Sequence, residues 1–226
     1  MSTEIFYQEK IRPANTPHPL LLRLPAQLLS IIFHPLFIPV YFVAYLLYVD
    51  TYFFTGYDKR EKLWVLIRVA NNMVVFPMLV VLLLKGLGFI KSIFLKTQQE
   101  RIIPYIASGI FFFWMYLVFR NDFRIPGILV SFTFGVFISS SVALIANIYY
   151  KISMHAIGSG GLAGVLFVIL YTQPQAFIAI PLMITVFITG IICTSRLIVS
   201  NHSNKEIYMG LLVGLVCQFV AGWFIL

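Results

Sequence analysis

The sequence predicts an all-α polytopic transmembrane helical bundle of six to seven spans, and three observations carry that expectation. The 226-residue chain is 60% hydrophobic, only 11% charged, and has a mean hydropathy of +0.93. Soluble domains carry about 25% charged residues. Several apolar runs reach the roughly 20 residues that a helix needs to cross hydrocarbon. The short alternating segments of a membrane β-barrel are not seen, and a helix is the other way to satisfy every backbone group in lipid. Residues 1–226 read as a single integral membrane domain. The net charge of +8 suits anionic headgroups or phosphorylated substrates. Cys193 and Cys217 lie in apolar runs and give neither a disulfide framework nor metal spacing.

The elements follow in order. Residues 1–25 are polar and proline-containing as far as Arg23 and are expected to form a surface segment. No apolar stretch stands near Met1, so no cleavable signal peptide is expected. Seven apolar segments follow, at about 26–49, 63–88, 102–119, 127–150, 157–172, 175–195 and 207–226. His34-Pro35 is expected to mark the start of the first. In the second, Arg68 is expected to snorkel to the interface, and Asn71 and Asn72 to hydrogen-bond between helices. Thr172-Gln173-Pro174-Gln175 reads as a tight turn between antiparallel neighbours. Gly158, Gly160, Gly161 and Gly164 suit close helix packing, with a backbone nest for phosphate as the alternative. The run 58–62 and the Arg120–Arg124 break read as solvated loops. Trp64, Trp114 and Trp223 fit interfacial belts or packing.

The polar breaks fall into two sets. One holds residues 91–101, 151–155 and 195–206; the other holds 50–62, 120–124 and 172–175. Two spans separate each member of the first set from the next, so all three lie on one side of the membrane. On that face stand Lys96, Arg101 and Pro104, then Ser153 and His155, then Ser195, Arg196, His202 and Glu206. Polar and charged groups are costly near hydrocarbon and mark function there. His202 and Glu206 are four apart, on one face of a helix. Arg196 brings a planar cationic fork suited to phosphate. Ser203-x-x-Glu206 also has the form of a capping box, in which Glu206 bonds backbone rather than His202.

In this order and content the chain resembles the type 2 phosphatidic acid phosphatase superfamily, which includes lipid phosphate phosphatases and vanadium haloperoxidases. The family pattern is Lys-x6-Arg-Pro, then Pro-Ser-Gly-His, then Ser-Arg-x5-His-x3-Asp. The third motif matches in spacing at every position, with Glu206 replacing the aspartate. Ile152-Ser153-Met154-His155 keeps the serine and histidine of the second but not its proline and glycine. Lys96-x4-Arg101-x2-Pro104 has the residue types of the first but not its spacing. Five residues apart on a helix rotates two side chains by about 140°, so Lys96 and Arg101 share one phosphate only if the chain near Lys96 is not helical. The resemblance covers about residues 91–210.

The resemblance implies a phosphatase-like core and a phosphohistidine mechanism. His202 would be the nucleophile and Glu206 would orient it. His155 would protonate the leaving alkoxide. Arg196 and Arg101, with Lys96, Ser153 and Ser195, would hold phosphate oxygens. No cofactor and no metal is implied. The expected partners are a lipid phosphate substrate and membrane lipids, with no nucleic acid, and the expected location is the cell membrane. The expected activity is hydrolysis of a lipid phosphomonoester or diphosphate. The alternatives are a headgroup phosphotransferase, and a non-catalytic lipid-phosphate-binding or transport relative.

Overall fold

A computed structural model describes residues 19–93, 95, 97–173, 177–200 and 202–226. Among these the regular elements are all helical: α1 (Leu20–Ile32), α2 (Ile38–Tyr48), a short 3-10 turn (Thr51–Phe54), α3 (Lys59–Ala70), a π turn (Asn71–Val75), α4 (Phe76–Gly86), α5 (Gln98–Arg120), α6 (Gly127–Tyr149), α7 (Met154–Thr172), α8 (Ala179–Val199) and α9 (Asn204–Ile225). Residues 59–86 run as one long helix through the π turn. With α5 to α9 they make six helices long and apolar enough to cross a membrane.

The apolar run 26–49 is not one of them, which corrects the sequence reading. Pro35 interrupts the backbone ladder, because proline has no N–H to give it, and Pro39 stands in the first turn of α2, where no such N–H is needed. The chain turns at 33–37, where the Phe37 N–H donates to the His34 carbonyl at 2.8 Å. The resulting helices of 13 and 11 residues are about 20 and 17 Å long, short of a bilayer core. His34-Pro35 therefore breaks the run in its middle instead of opening it. Residues 20–25 of the expected surface segment form the start of α1, with Leu20, Leu21, Leu22 and Leu24 exposed, and residues 1–18 lie outside the described residues. α1 packs on α8, and α2 packs on α3 and α7.

The first long helix opens with a capping box between Asp58 and Glu61. Its π turn lies just before Pro77, which cannot donate to the carbonyl of Met73, and the helix widens there. Asn72 bonds the Arg68 carbonyl of its own helix at 2.9 Å, not a neighbouring helix. Arg68 pairs with Asp122 at 3.2 Å instead of merely snorkelling. Arg124 pairs with Glu61, and the Tyr57 hydroxyl donates to the Arg124 carbonyl at 2.6 Å. The run 58–62, expected as a loop, is thus the cap and first turn of α3, and these contacts tie that helix to the connection between α5 and α6. These pairs are partly exposed, so solvent screens them and each contributes little to stability.

The span order sets directions. α5, α7 and α9 start on the face that carries the candidate residues, whereas α6 and α8 end there. α7 and α9 are therefore parallel, and they form the most extensive helix pair in the bundle. Glycines make this possible. A Cβ on Gly160 or Gly164 would strike the α9 backbone at Leu211 and Leu215, and one on Gly210 or Gly214 would strike the Ser153 and Ile157 carbonyls. Gly158 faces Pro35 and Ile38. Close packing, not a phosphate nest, accounts for these residues. Across this seam the Ser153 N–H donates to the Glu206 carbonyl at 3.4 Å, which puts the two N-termini level. The start of α5 is fixed on the end of α6 by a reciprocal pair: Gln98 Nε2 to the Asn147 carbonyl at 2.8 Å, and Asn147 Nδ2 to the Gln98 carbonyl at 2.9 Å. α7 and α8 pack on each other across a connection whose Thr172 and Gln173 are described; Pro174 and Gln175 of the expected turn lie outside the described residues.

The main core gathers Phe42, Leu46, Phe119, Leu129, Phe132 and Ile169. A smaller cluster of Tyr105, Ala143, Ala146, Ile152 and Ile157 lies beneath the candidate face. Gly214→Leu should weaken the α7–α9 seam by about 1–3 kcal/mol, the usual cost of overpacking. Thermal unfolding in detergent should show a lowered midpoint for it. Gly190→Leu, where an added Cβ meets nothing within 4 Å, should leave the midpoint near wild type.

Candidate functional site

The site is built from helix ends. At the start of α9, Ser203 is the N-cap and its Oγ accepts from the Glu206 N–H at 3.3 Å. Glu206 Oε2 accepts from the Ser203 N–H at 2.9 Å and lies 3.3 Å from His202 Nδ1. The capping box and the held histidine are therefore not alternatives: one carboxylate oxygen does both. His202 and Glu206 are 8% and 9% exposed, so the pair is largely shielded from solvent. With Nδ1–H donated to a carboxylate, the lone pair of the neutral ring sits on Nε2.

The last turn of α8 supplies Ser195 and Arg196. Ser195 is buried, but its hydroxyl donates to the Ile191 carbonyl of its own helix at 2.8 Å. Arg196 Nη1 donates to Ser30 Oγ at 3.4 Å, while its buried Nε has no partner among the described residues. The Ser200 hydroxyl donates to the Arg196 carbonyl and closes the helix end. Ser153 caps α7, yet its side chain makes no cap bond. Its Oγ is fully buried and unpartnered among the described residues. Such a buried hydroxyl costs about 1–3 kcal/mol unless a ligand or water satisfies it.

His155 stands in the first turn of α7. Its Nε2 lies 2.9 Å from the Ser30 carbonyl, which can only accept, so that nitrogen carries the proton. Its ring packs edge-on against His34, with centroids 5.4 Å apart. Arg101, in the first turn of α5, donates from Nε to the Leu95 carbonyl at 3.0 Å and from Nη1 to the Ile152 carbonyl at 3.5 Å. Leu95 presents that carbonyl from a left-handed conformation, φ 47°, uncommon for leucine. Lys96 lies outside the described residues. Pro104 is buried one turn further along α5.

Electrostatics follow from this crowding. Burial pushes the His202 imidazole below its usual basicity; the charges of Arg196 and Arg101 push it the same way, and Glu206 opposes them. Burial, then Arg196, lowers His34 as well. Both rings are neutral at pH 7. The N-termini of α5, α7 and α9 add the positive ends of three helix dipoles on the same face. Two guanidinium groups, three helix starts and an unpartnered hydroxyl favour an anion.

The structure thus brings His202, Glu206, Arg196 and Arg101 into one electrostatic neighbourhood. Ser153 and His155 lie alongside across the α7–α9 seam, while Ser195 is spent inside its helix. Sequence reasoning missed Ser30 and His34, which the break after α1 folds back onto Arg196 and His155. Their signal was slight: two polar residues inside an apolar run. Among the described residues no three His, Cys, Asp or Glu side chains gather as a metal site, and both cysteines are free. Neither a protein-family model, nor a curated protein, nor a solved structure matches the chain.

Histidine titration followed by NMR on 15N-labelled protein checks this electrostatic arrangement. Glu206→Gln removes a group that raises the His202 pKa, so the ring should stay neutral to still lower pH. Arg196→Gln removes a group that lowers it, so the ring should protonate at higher pH than in wild type. Titration unmoved by both changes would contradict the geometry.

Proposed function

We infer that the chain is a membrane-embedded phosphatase that hydrolyses a lipid phosphate through His202. The observation that carries this reading is the shared Glu206 oxygen, which holds a buried neutral histidine beside two guanidinium groups. The likeness of the Ser195–Glu206 motif to type 2 phosphatidic acid phosphatases supports it.

In this mechanism His202 Nε2 attacks phosphorus as the P–O bond to the lipid alcohol breaks. The imidazolium that develops is stabilised by Glu206 through Nδ1–H. Arg196, Arg101 and the Ser153 hydroxyl hold the non-bridging oxygens, whose charge grows in the transition state. The departing alkoxide takes a proton from His155, which must exchange the Ser30 carbonyl for that oxygen. Water then attacks the phosphohistidine and returns a proton to His155, the N–P bond breaks, and inorganic phosphate, neutral His202 and reprotonated His155 are left. The cell membrane, where such lipids reside, is the proposed location.

One observation favours a second reading. The proton on His155 Nε2 is held by the Ser30 carbonyl, an arrangement that serves binding of a lipid phosphate without its cleavage. Phosphate release by purified protein from a panel of lipid phosphates, with EDTA present, decides between the two. Hydrolysis should survive chelation and should fall at least about 100-fold in His202→Ala and Arg196→Ala, the scale on which transition-state charge contacts act. Release unchanged in His202→Ala contradicts the mechanism. Tight binding with no release across the panel favours the second reading.

A further inference from the structure

A cavity of about 250 Å³ lies between α5 and α6, lined among others by Tyr105, Gly109, Ile110, Phe113, Ser140 and Ser141. We propose that it receives the hydrocarbon chain of the phosphate-bearing lipid whose headgroup occupies the candidate site, an inference that rests on the anion-binding reading of that site. Three features of the cavity carry it.

The cavity adjoins the site. Tyr105 follows Arg101 by four residues on α5, so the two share a helix face one turn apart. From Tyr105 the lining continues to Phe113, about 12 Å further along the helix at 1.5 Å per residue. The groove thus runs from the guanidinium end toward the bilayer middle. It opens toward lipid: Ile110 and Phe113 on its rim are exposed, on helices long and apolar enough to cross a membrane.

Its polar groups are few and confined. Tyr105 and Ser140 are both at least nine-tenths buried; the Ser140 hydroxyl has no partner among the described residues, and the Tyr105 phenol meets the Arg101 guanidinium, which can only donate to it and so leaves the phenol proton without an acceptor. Buried hydroxyls are normally satisfied. The ester or ether oxygens that join a headgroup to its chains would accept from both, and the apolar remainder would take the chain. Glycine at 109 keeps the groove open. A Cβ there would stand 3.3 Å from Ser140 Oγ, and anything larger would fill the space between the helices.

Photo-crosslinking of the full chain in nanodiscs tests the inference without needing turnover. Two probes carry a diazirine on one acyl chain: a diacyl phosphonate, which cannot be hydrolysed, and a diacylglycerol with no phosphorus. The phosphonate should label residues 105–113 and 137–144 several-fold more than the diacylglycerol. Gly109→Leu and, on the facing wall, Ser141→Leu should each remove most of that excess while labelling of other helices continues. Equal labelling of the groove by both probes, or phosphonate labelling concentrated on other helices, would overturn the proposal. Groove labelling by the phosphonate in a protein that releases no phosphate would uphold the groove and count against hydrolysis. Hydrolysis with labelling elsewhere would do the reverse.

Discussion

Everything at the candidate site depends on two parallel helices packed backbone to backbone. α7 and α9 approach so closely that glycine is required on both sides, and the Ser153 amide reaches the Glu206 carbonyl across the seam. In lipid no hydrophobic drive brings helices together, so small residues and interhelical hydrogen bonds must supply the association. Because the helices are parallel, both N-termini arrive on one face. Because the seam is tight, they arrive level. A slip of one residue would rotate Ser153 and His202 about 100° away from a common target.

That constraint concentrates positive potential. α5 joins the pair through the Gln98–Asn147 clasp and carries Arg101 in its first turn. α8 ends there with Arg196. Glu206 is the carboxylate that reaches His202, and its oxygen is shared with the cap of its own helix. This sharing has a mechanical meaning. The side chain that orients the imidazole is held by the rigid start of a 22-residue helix, not by a loop. Side chains held this way keep their geometry.

Much of this was legible in the chain, for reasons that differ residue by residue. Long apolar runs and sparse charge give the membrane helices, because the bilayer imposes their length. Counting spans places three polar islands on one face, and the count survives the loss of the expected first span because that run precedes all three. The four-residue spacing flagged the His202–Glu206 pair, but not as one face of a helix: His202 precedes the N-cap Ser203, and the contact is made through the capping oxygen of Glu206. What could not be read was the break at His34-Pro35: the run is apolar apart from a few scattered polar residues, and whether proline opens, kinks or divides it depends on what packs beside it. Ser30 and His34 were missed with it, since their partners Arg196 and His155 are more than 120 residues away. The ion pairs of Arg68 and Arg124 were missed for the same reason, as periodicity says nothing about which loop a cation meets.

The central claim is that His202 Nε2 faces an anionic phosphorus held by Arg196 and Arg101. Rapid quenching of the protein with a radiolabelled lipid phosphate, followed by peptide mapping, tests it most directly. The account predicts a phosphoryl label on His202 that is stable to alkali and lost in mild acid, as a phosphoramidate bond is. Turnover without any label on that residue, or with the label on another side chain, would contradict it.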